Sequence, residues 1–252
     1  MKSQLLFMLI LINFNVSFGQ KNESEILKDY EFYIEKNVEM GKWKTKYYLS
    51  NGLVNIEETY WKNELRSRTE IKYDRNGNVK RKIMTYNINE GNVNYVSNLN
   101  LEYNDSLLIS KGFSFDMTEK YFDFNESGKP KLIERNEQTN LQAFPYKEII
   151  EYDKKDNVTK STELSISVDL NGKTIKEKKT TYFKYDKWNN IIEIYREYEP
   201  EQEFPVIMTG GPAKYKYEYF RYKYNKNGLW IKKLKTVNGK ENLVAKRKYK
   251  KH

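Results

Sequence analysis

The feature that most constrains this chain is a short motif that recurs along it. An aromatic residue is followed by Asp or Asn, two free positions, a residue that tolerates a left-handed backbone, and a return to apolar side chains. Tyr73-Asp74-Arg75-Asn76-Gly77-Asn78-Val79 is the fullest copy. Phe124-Asn125 with Gly128, Tyr152-Asp153 with Asp156-Asn157-Val158, Tyr185-Asp186 with Asn189-Asn190-Ile191, and Tyr224-Asn225 with Gly228-Leu229-Trp230 repeat it. Tyr103-Asn104 with Leu107 is weaker, because Leu resists a left-handed backbone, and Tyr48 with Asn51-Gly52 fits by spacing alone. The Asp or Asn side chain can accept a hydrogen bond from the amide two residues on and start a turn. Gly, Asn or Asp four places after the aromatic takes φ > 0 at low cost. Aromatic and β-branched flanks favour strands, so the motif reads as a hairpin turn.

Further turn signals fall between the copies, at Asn63-Glu64, Asn89-Glu90-Gly91-Asn92, Asn171-Gly172 and Asn238-Gly239. One repeat is then two strands and two turns, and the copies lie roughly 20–40 residues apart. The fold expected is all-β: an antiparallel meander of hairpin repeats, about a dozen strands, forming an open, twisted or coiled sheet. Residues 22–38 hold the one stretch of helical spacing (Ile26, Leu27, Tyr30, Ile34), capped by Asn22 or Ser24, with a strand from Phe32 as the competing reading. In Tyr215–Tyr224 the tyrosines sit at odd positions to 219 and aromatics at even positions from 220. A register change, a β-bulge or bend near Tyr219-Phe220, is therefore expected.

These residues resemble the YD repeats of the RHS family, most specifically at 73–79, then at 152–158 and 185–191. The early stretch Tyr47-Tyr48-Leu49-Ser50-Asn51-Gly52 through Tyr60-Trp61-Lys62-Asn63 is also similar to a variant MORN repeat. The resemblance implies an extended or coiled β-sheet of repeats and carries over no catalytic residue.

Residues 1–19 read as a signal peptide: Lys2, the apolar run Leu5–Ile12, and small Ser17 and Gly19 before a cleavage site at Gln20. Residues 20–42 then form a lead segment and 43–252 the hairpin-repeat domain, and the product is exported to the periplasm or beyond the cell. No Cys is present, which excludes disulfides and thiol chemistry. The single His is the last residue, so a Ser-His-Asp triad and His-based metal sites lack their parts. No phosphate-binding Gly loop or dinucleotide fingerprint occurs. No cofactor or metal is called for. The formal charge is +10, yet only Lys246–His252 is a dense basic run, and solvated strand faces account for most lysines. A transmembrane barrel needs an apolar outer band, which strands laced with Lys and Glu and a mean hydropathy of −0.91 do not offer.

The function expected first is a non-enzymatic binding or scaffold protein that holds a protein or an envelope or extracellular glycan, with no nucleic acid as partner. A carbohydrate-directed protein using aromatic platforms and a carboxylate pair is second, and a toxin-associated or immunity factor third. Asp74, Asp153 and Asp186 are carboxylates whose place after the turn aromatic gives them a structural role. The segment Glu199–Pro212 breaks the rhythm with Pro200, Pro205, Gly210, Gly211 and Pro212 around apolar Phe204, Val206, Ile207 and Met208. It is either a binding loop or one that folds back over the sheet. Candidate contact residues are Trp188, inside a turn, with Phe204, Ile207, Met208 and Trp230.

Overall fold

The computed structural model describes residues 21–252, except 74–78, 89–92, 105–106, 114–116, 138–145, 169–171 and 208–210. The proposed leader, the turn after Tyr73, the turn at 89–92 and Met208 lie outside the described residues. A short helix, α1 (Lys21–Leu27), precedes sixteen strands among those described. The first five are β1 (Tyr30–Asn37), β2 (Trp43–Ser50), β3 (Leu53–Trp61), β4 (Glu64–Tyr73) and β5 (Val79–Ile88). Then come β6 (Val93–Asn104), β7 (Leu107–Phe113), β8 (Met117–Phe124), β9 (Pro130–Glu137), β10 (Tyr146–Tyr152) and β11 (Val158–Val168). The last are β12 (Thr174–Tyr185), β13 (Ile191–Glu199), β14 (Tyr217–Tyr224), β15 (Trp230–Val237) and β16 (Lys240–Lys251).

Every strand pairs antiparallel with its neighbour in sequence, as the meander requires. The coil expected of the sheet goes to completion, because β1 also pairs with β16 over Tyr33↔Tyr249, Glu35↔Arg247 and Asn37↔Ala245. The edges that an open sheet would leave unpaired satisfy each other instead. The lead segment thus supplies a barrel strand. The helical reading of 22–38 holds only as far as Leu27, and the strand reading takes over from Tyr30.

The described motif turns lie together at one rim of the barrel, and four of them are built alike. Asn125, Asp153, Asp186 and Asn225 each accept through Oδ1 from the amides two and four residues on, at 2.8–3.1 Å. Gly128, Asp156, Asn189 and Gly228, each four places after the motif aromatic, have φ between +62° and +80°. The turn chemistry expected from sequence is present at all four. On the opposite rim, tight turns at Lys62-Asn63 and Asn238-Gly239 put both residues at positive φ, so the turn expected at Asn63-Glu64 begins one residue earlier.

A register shift falls immediately before the motif turn in six hairpins, between Tyr48/Leu49, Lys72/Tyr73, Glu102/Tyr103, Glu151/Tyr152, Lys184/Tyr185 and Lys223/Tyr224. The bulge expected at Tyr219-Phe220 is therefore absent there; that pair runs in unbroken register with Thr236 and Lys235. Tyr217 and Tyr219 point outward, Phe220 and Tyr222 inward, and the bulge at 223/224 re-aims Tyr224 toward the turn.

The tyrosines at four of these register shifts share a task. The hydroxyls of Tyr73, Tyr103, Tyr152 and Tyr185 donate to the carbonyls of Val54, Val79, Pro130 and Val158, at 2.6–2.8 Å. Each acceptor lies near the start of the strand that precedes the tyrosine's own. Each of these four repeats is thereby tied to the one before. Neighbouring turns are tied as well, Asn125 Nδ2 to Asp156 Oδ1 at 3.0 Å and Lys129 Nζ to the Asp156 carbonyl at 2.8 Å.

Apolar burial concentrates where α1 closes the motif-turn rim. Leu27, Tyr30, Tyr33, Leu49 and Leu229 pack together there, with Ile26, Tyr47, Val54 and Tyr249 around them. Gly52 permits the approach: at φ +78° it passes so close to the Ser24 carbonyl that a Cβ would collide with it.

Candidate binding surface

Alternation in the strands of a closed barrel gives one inward and one outward set of side chains. The inward set is polar and charged as well as aromatic. Arg247 lies over Trp230 at 3.9 Å from the ring centroid and donates to Glu35 at 2.8 Å and Glu23 at 3.3 Å. Arg196 and Glu218, both nearly buried, pair at 2.8 Å. Arg135 pairs with buried Glu119, which also accepts from Tyr121 at 2.7 Å. The basic tail is absorbed by this alternation: Arg247 and Tyr249 turn inward while Lys246, Lys248 and Lys250 face out.

The candidate residues are not brought together. Trp188 sits on the motif-turn rim, 49% exposed, its amide held by Asp186 and its ring tilted against Tyr224 at 6.2 Å. Phe204 and Ile207 lie near the opposite rim; Phe204 packs on Tyr198 at 5.2 Å, whereas Ile207 is 83% exposed. Trp230 is buried, because the first strand position after its turn faces inward and both Arg247 and Tyr222 cover its ring. It has no free ring face to offer a ligand.

The segment between β13 and β14 folds back over the barrel end. Val206 and Lys214 exchange backbone hydrogen bonds at 2.8 and 2.9 Å. Arg196 Nη1 donates to the Tyr215 carbonyl at 2.7 Å, and the Tyr215 amide donates to Glu218 at 3.0 Å. Burial lowers the pKa of Lys214, opposed by nearby Glu163. The loop therefore closes against inward residues, the covering arrangement that the sequence allowed, and leaves Ile207 outside.

Beside this loop the outward set forms an aromatic ladder. Tyr182, Tyr195 and Tyr217, on β12, β13 and β14, stack with centroids 5.5 and 4.7 Å apart and interplanar angles of 22° and 20°. Glu197 accepts from Tyr195 at 2.7 Å and from Tyr182 at 3.1 Å. The Tyr195 hydrogen bond holds the Glu197 carboxyl below the usual range, and the same bond raises Tyr195. Tyr217 and Tyr219 are 48% and 47% exposed. A cleft of about 300 Å³ adjoins the ladder, lined by Tyr195, Glu197, Glu199, Gln202, Phe204 and Lys216. Sequence reasoning singled out the Tyr-rich run but not these partners, since stacking depends on cross-strand register.

One carboxylate pair stands out on the inner face. Glu148 and Glu163 are direct cross-strand partners on β10 and β11. Burial raises the Glu148 pKa and Glu163 adds to the rise, against hydrogen bonds from Ser161 at 2.5 Å and Tyr146 at 3.3 Å. Among the described residues no group of three His, Cys, Asp or Glu is placed to hold a metal ion. No helix among them is long and apolar enough to cross a membrane.

No family model matches the chain, and no curated protein does. Solved structures with similar strand courses include a porin-like protein from Bacteroides uniformis at 9% identity and TM-score 0.39, covering 89% of this chain and 98% of that one. A porin-like protein from Bacteroides vulgatus matches at 8% identity and TM-score 0.42, covering 88% and 98%. The Photorhabdus luminescens Tc holotoxin pore matches at 13% identity and TM-score 0.28, covering 81% of this chain and 14% of that one. Likenesses this distant do not bear on function.

Proposed function

We propose that this is an exported, non-enzymatic binding or scaffold protein built from YD-like hairpin repeats. Its contact surface is the outer tyrosine face of β12–β14 with the adjoining loop. The observation that carries the reading is the ladder Tyr182–Tyr195–Tyr217 continued by Tyr219. It offers aromatic area that is held in place before any partner arrives, and Tyr is a residue type enriched at interface hot spots. The stacked rings spend their faces on each other, so the ladder offers edges, hydroxyls and the flank of Tyr217 rather than platforms for sugar rings. A protein surface fits that better than a glycan. The signal-like residues 1–19 support export, and the four matched turns support the repeat resemblance.

The test is crosslinking of the purified protein in the periplasmic and extracellular fractions of its source, with a Tyr217→Ser/Tyr219→Ser variant alongside. A partner captured by the parent protein and lost in the variant, with the unfolding midpoint unchanged, supports the reading. Capture that is equal in both sinks it.

A second reading, a glycan-active protein, rests on the Glu148–Glu163 pair, since two facing carboxylates are the minimum for glycoside cleavage. The reading requires Glu163→Gln to abolish activity on a polysaccharide substrate.

A further inference from the structure

The outer face carries an unbroken row of like charge. Lys223 pairs directly with Lys232, Lys232 with Lys246, Lys246 with Lys36, and Lys36 with Lys44, across β14, β15, β16, β1 and β2. Five lysines thus lie side by side at the spacing of adjacent strands, about 4.8 Å at the backbone, and spread further apart at their tips on a convex wall.

Directly opposed like charges destabilise a sheet, and opposite charges stabilise it. Elsewhere this outer face mostly follows the rule, with Lys72 opposite Arg81 an exception. Lys184 faces Glu193, Lys160 faces Glu151, and Glu134 sits between Lys120 and Lys147. The row breaks it four times in succession. None of its five ammonium groups lies within ion-pair distance of a carboxylate; Lys44 instead donates to Asn63 Oδ1 at 3.0 Å. Glu241, which acts on Lys223 electrostatically, is engaged by Arg221 at 2.8 Å. Among the described residues no carboxylate is ion-paired with the row, so the repulsion along it is left largely in place.

We infer that the row is a binding site for a linear polyanion, specifically an acidic polysaccharide laid across the strands. The charges are all Lys, which are point charges without the planar fork that Arg uses for bidentate recognition. Single-stranded nucleic acid needs free rings for base stacking. The rings beside the row are capped: Lys44 lies over Tyr60 at 5.0 Å, and Lys46 lies over Phe32 and Tyr48 at 3.8 and 4.2 Å. This surface is distinct from the tyrosine ladder and stands or falls separately from it.

The test compares the purified protein with Lys36→Gln/Lys232→Gln/Lys246→Gln and with an equal-charge control, Lys120→Gln/Lys154→Gln/Lys226→Gln. Binding to polygalacturonate and heparin is measured by calorimetry at low and high salt. Double-stranded DNA, anionic phospholipid vesicles and neutral dextran serve as competing ligands. The row variant is expected to bind polysaccharide roughly 3- to 100-fold more weakly, three exposed charge contacts at their usual strength. It is also expected to unfold at higher urea than the parent, because the repulsion is gone. The control should change affinity less than the row variant and gain no stability. Equal losses in the two variants, no binding to either polysaccharide, or tighter binding to DNA or vesicles would each overturn the inference.

Discussion

The Arg196–Glu218 pair fixes both the wall and the loop that covers its end, and its energetics can be worked from the structure. The two side chains are 10% and 8% exposed. Glu218 Oε1 accepts from Arg196 at 2.8 Å and from the Tyr215 amide at 3.0 Å, while Arg196 Nη1 also donates to the Tyr215 carbonyl at 2.7 Å. Replacing Glu218 by Leu strands a buried guanidinium, and replacing Arg196 by Met strands a buried carboxylate. Each single change should cost about 3–5 kcal/mol. The double variant Arg196→Met/Glu218→Leu strands neither charge. It still loses the two bonds to Tyr215, at about 1 kcal/mol each, so a net cost near 2 kcal/mol is expected. The double variant should therefore be more stable than either single one, with a coupling of several kcal/mol between the sites. Urea unfolding followed by tryptophan fluorescence reads this, provided the m-value is constant across the four proteins. Limited proteolysis at 200–216 should accelerate in all three variants. Additive single costs, or single costs under about 1 kcal/mol, would show that water reaches the pair and that the loop is not anchored by it.

Three further outcomes follow from the same geometry. Gly52→Ala should lower the unfolding midpoint far more than Gly239→Ala: both sites hold positive φ, but a Cβ at 52 meets the Ser24 backbone and one at 239 meets open space. Equal losses would mean that α1 is not docked there. Asp153→Ala, which removes three accepted hydrogen bonds, should cost about 1–3 kcal/mol, whereas Asp153→Asn should be mild because Asn occupies the same position at 125 and 225. Burial opposes ionisation of Asp153, but the bonds from Asn157 and Lys155 outweigh it and lower the pKa. Its contribution is therefore present above the unfolded value near 3.9 and is lost as pH falls through the folded value, and Asp153→Asn should flatten that acid limb. Glu148 is the opposite case: burial raises its folded pKa, so stability falls as pH rises from the unfolded value near 4.3 through the folded one. Glu148→Gln should raise the urea midpoint at pH 7, and the gain should vanish below about pH 4.

The turns were legible because their determinants are local. An Asx side chain and a φ-tolerant residue at fixed offsets fix the geometry wherever they occur, and Asp153 with Asp156 behaves as Asn225 with Gly228 does. The tyrosine that opens four of the motifs was legible as a strand former but not as an inter-repeat tie, since its acceptor lies 19–27 residues away. The bulge was misplaced at Tyr219-Phe220 because a break in aromatic alternation was read as a break in register. Two aromatic faces explain it instead, Tyr217 and Tyr219 outside, Phe220 and Tyr222 inside. Trp230 was misread for a related reason, because nothing local says which way the first residue after a turn will point.

Closure had no local signal at all, and it decides the rest. β1 and β16 meet through residues at the two ends of the chain, so the ring exists only once every intermediate register is set. With both faces carrying charge, the wall cannot rely on a continuous apolar core of the usual kind. Its buried set mixes Leu49, Ile71 and Ile150 with Glu119, Arg196 and Lys235. Cohesion has to come from the ladder hydrogen bonds, from the tyrosine ties between repeats and from paired inward charges, and each of these is only as strong as its partner's placement. Such a wall has little reason to tolerate unpaired charge on either face. Lysines 36 and 44 and lysines 223, 232 and 246 come from two widely separated regions of sequence and become one row only when the last strand closes on the first. A repulsive row that assembles at the closing seam weakens the barrel at the one joint with no hairpin to support it. That placement is hard to account for by stability, and it is what an external anion would relieve.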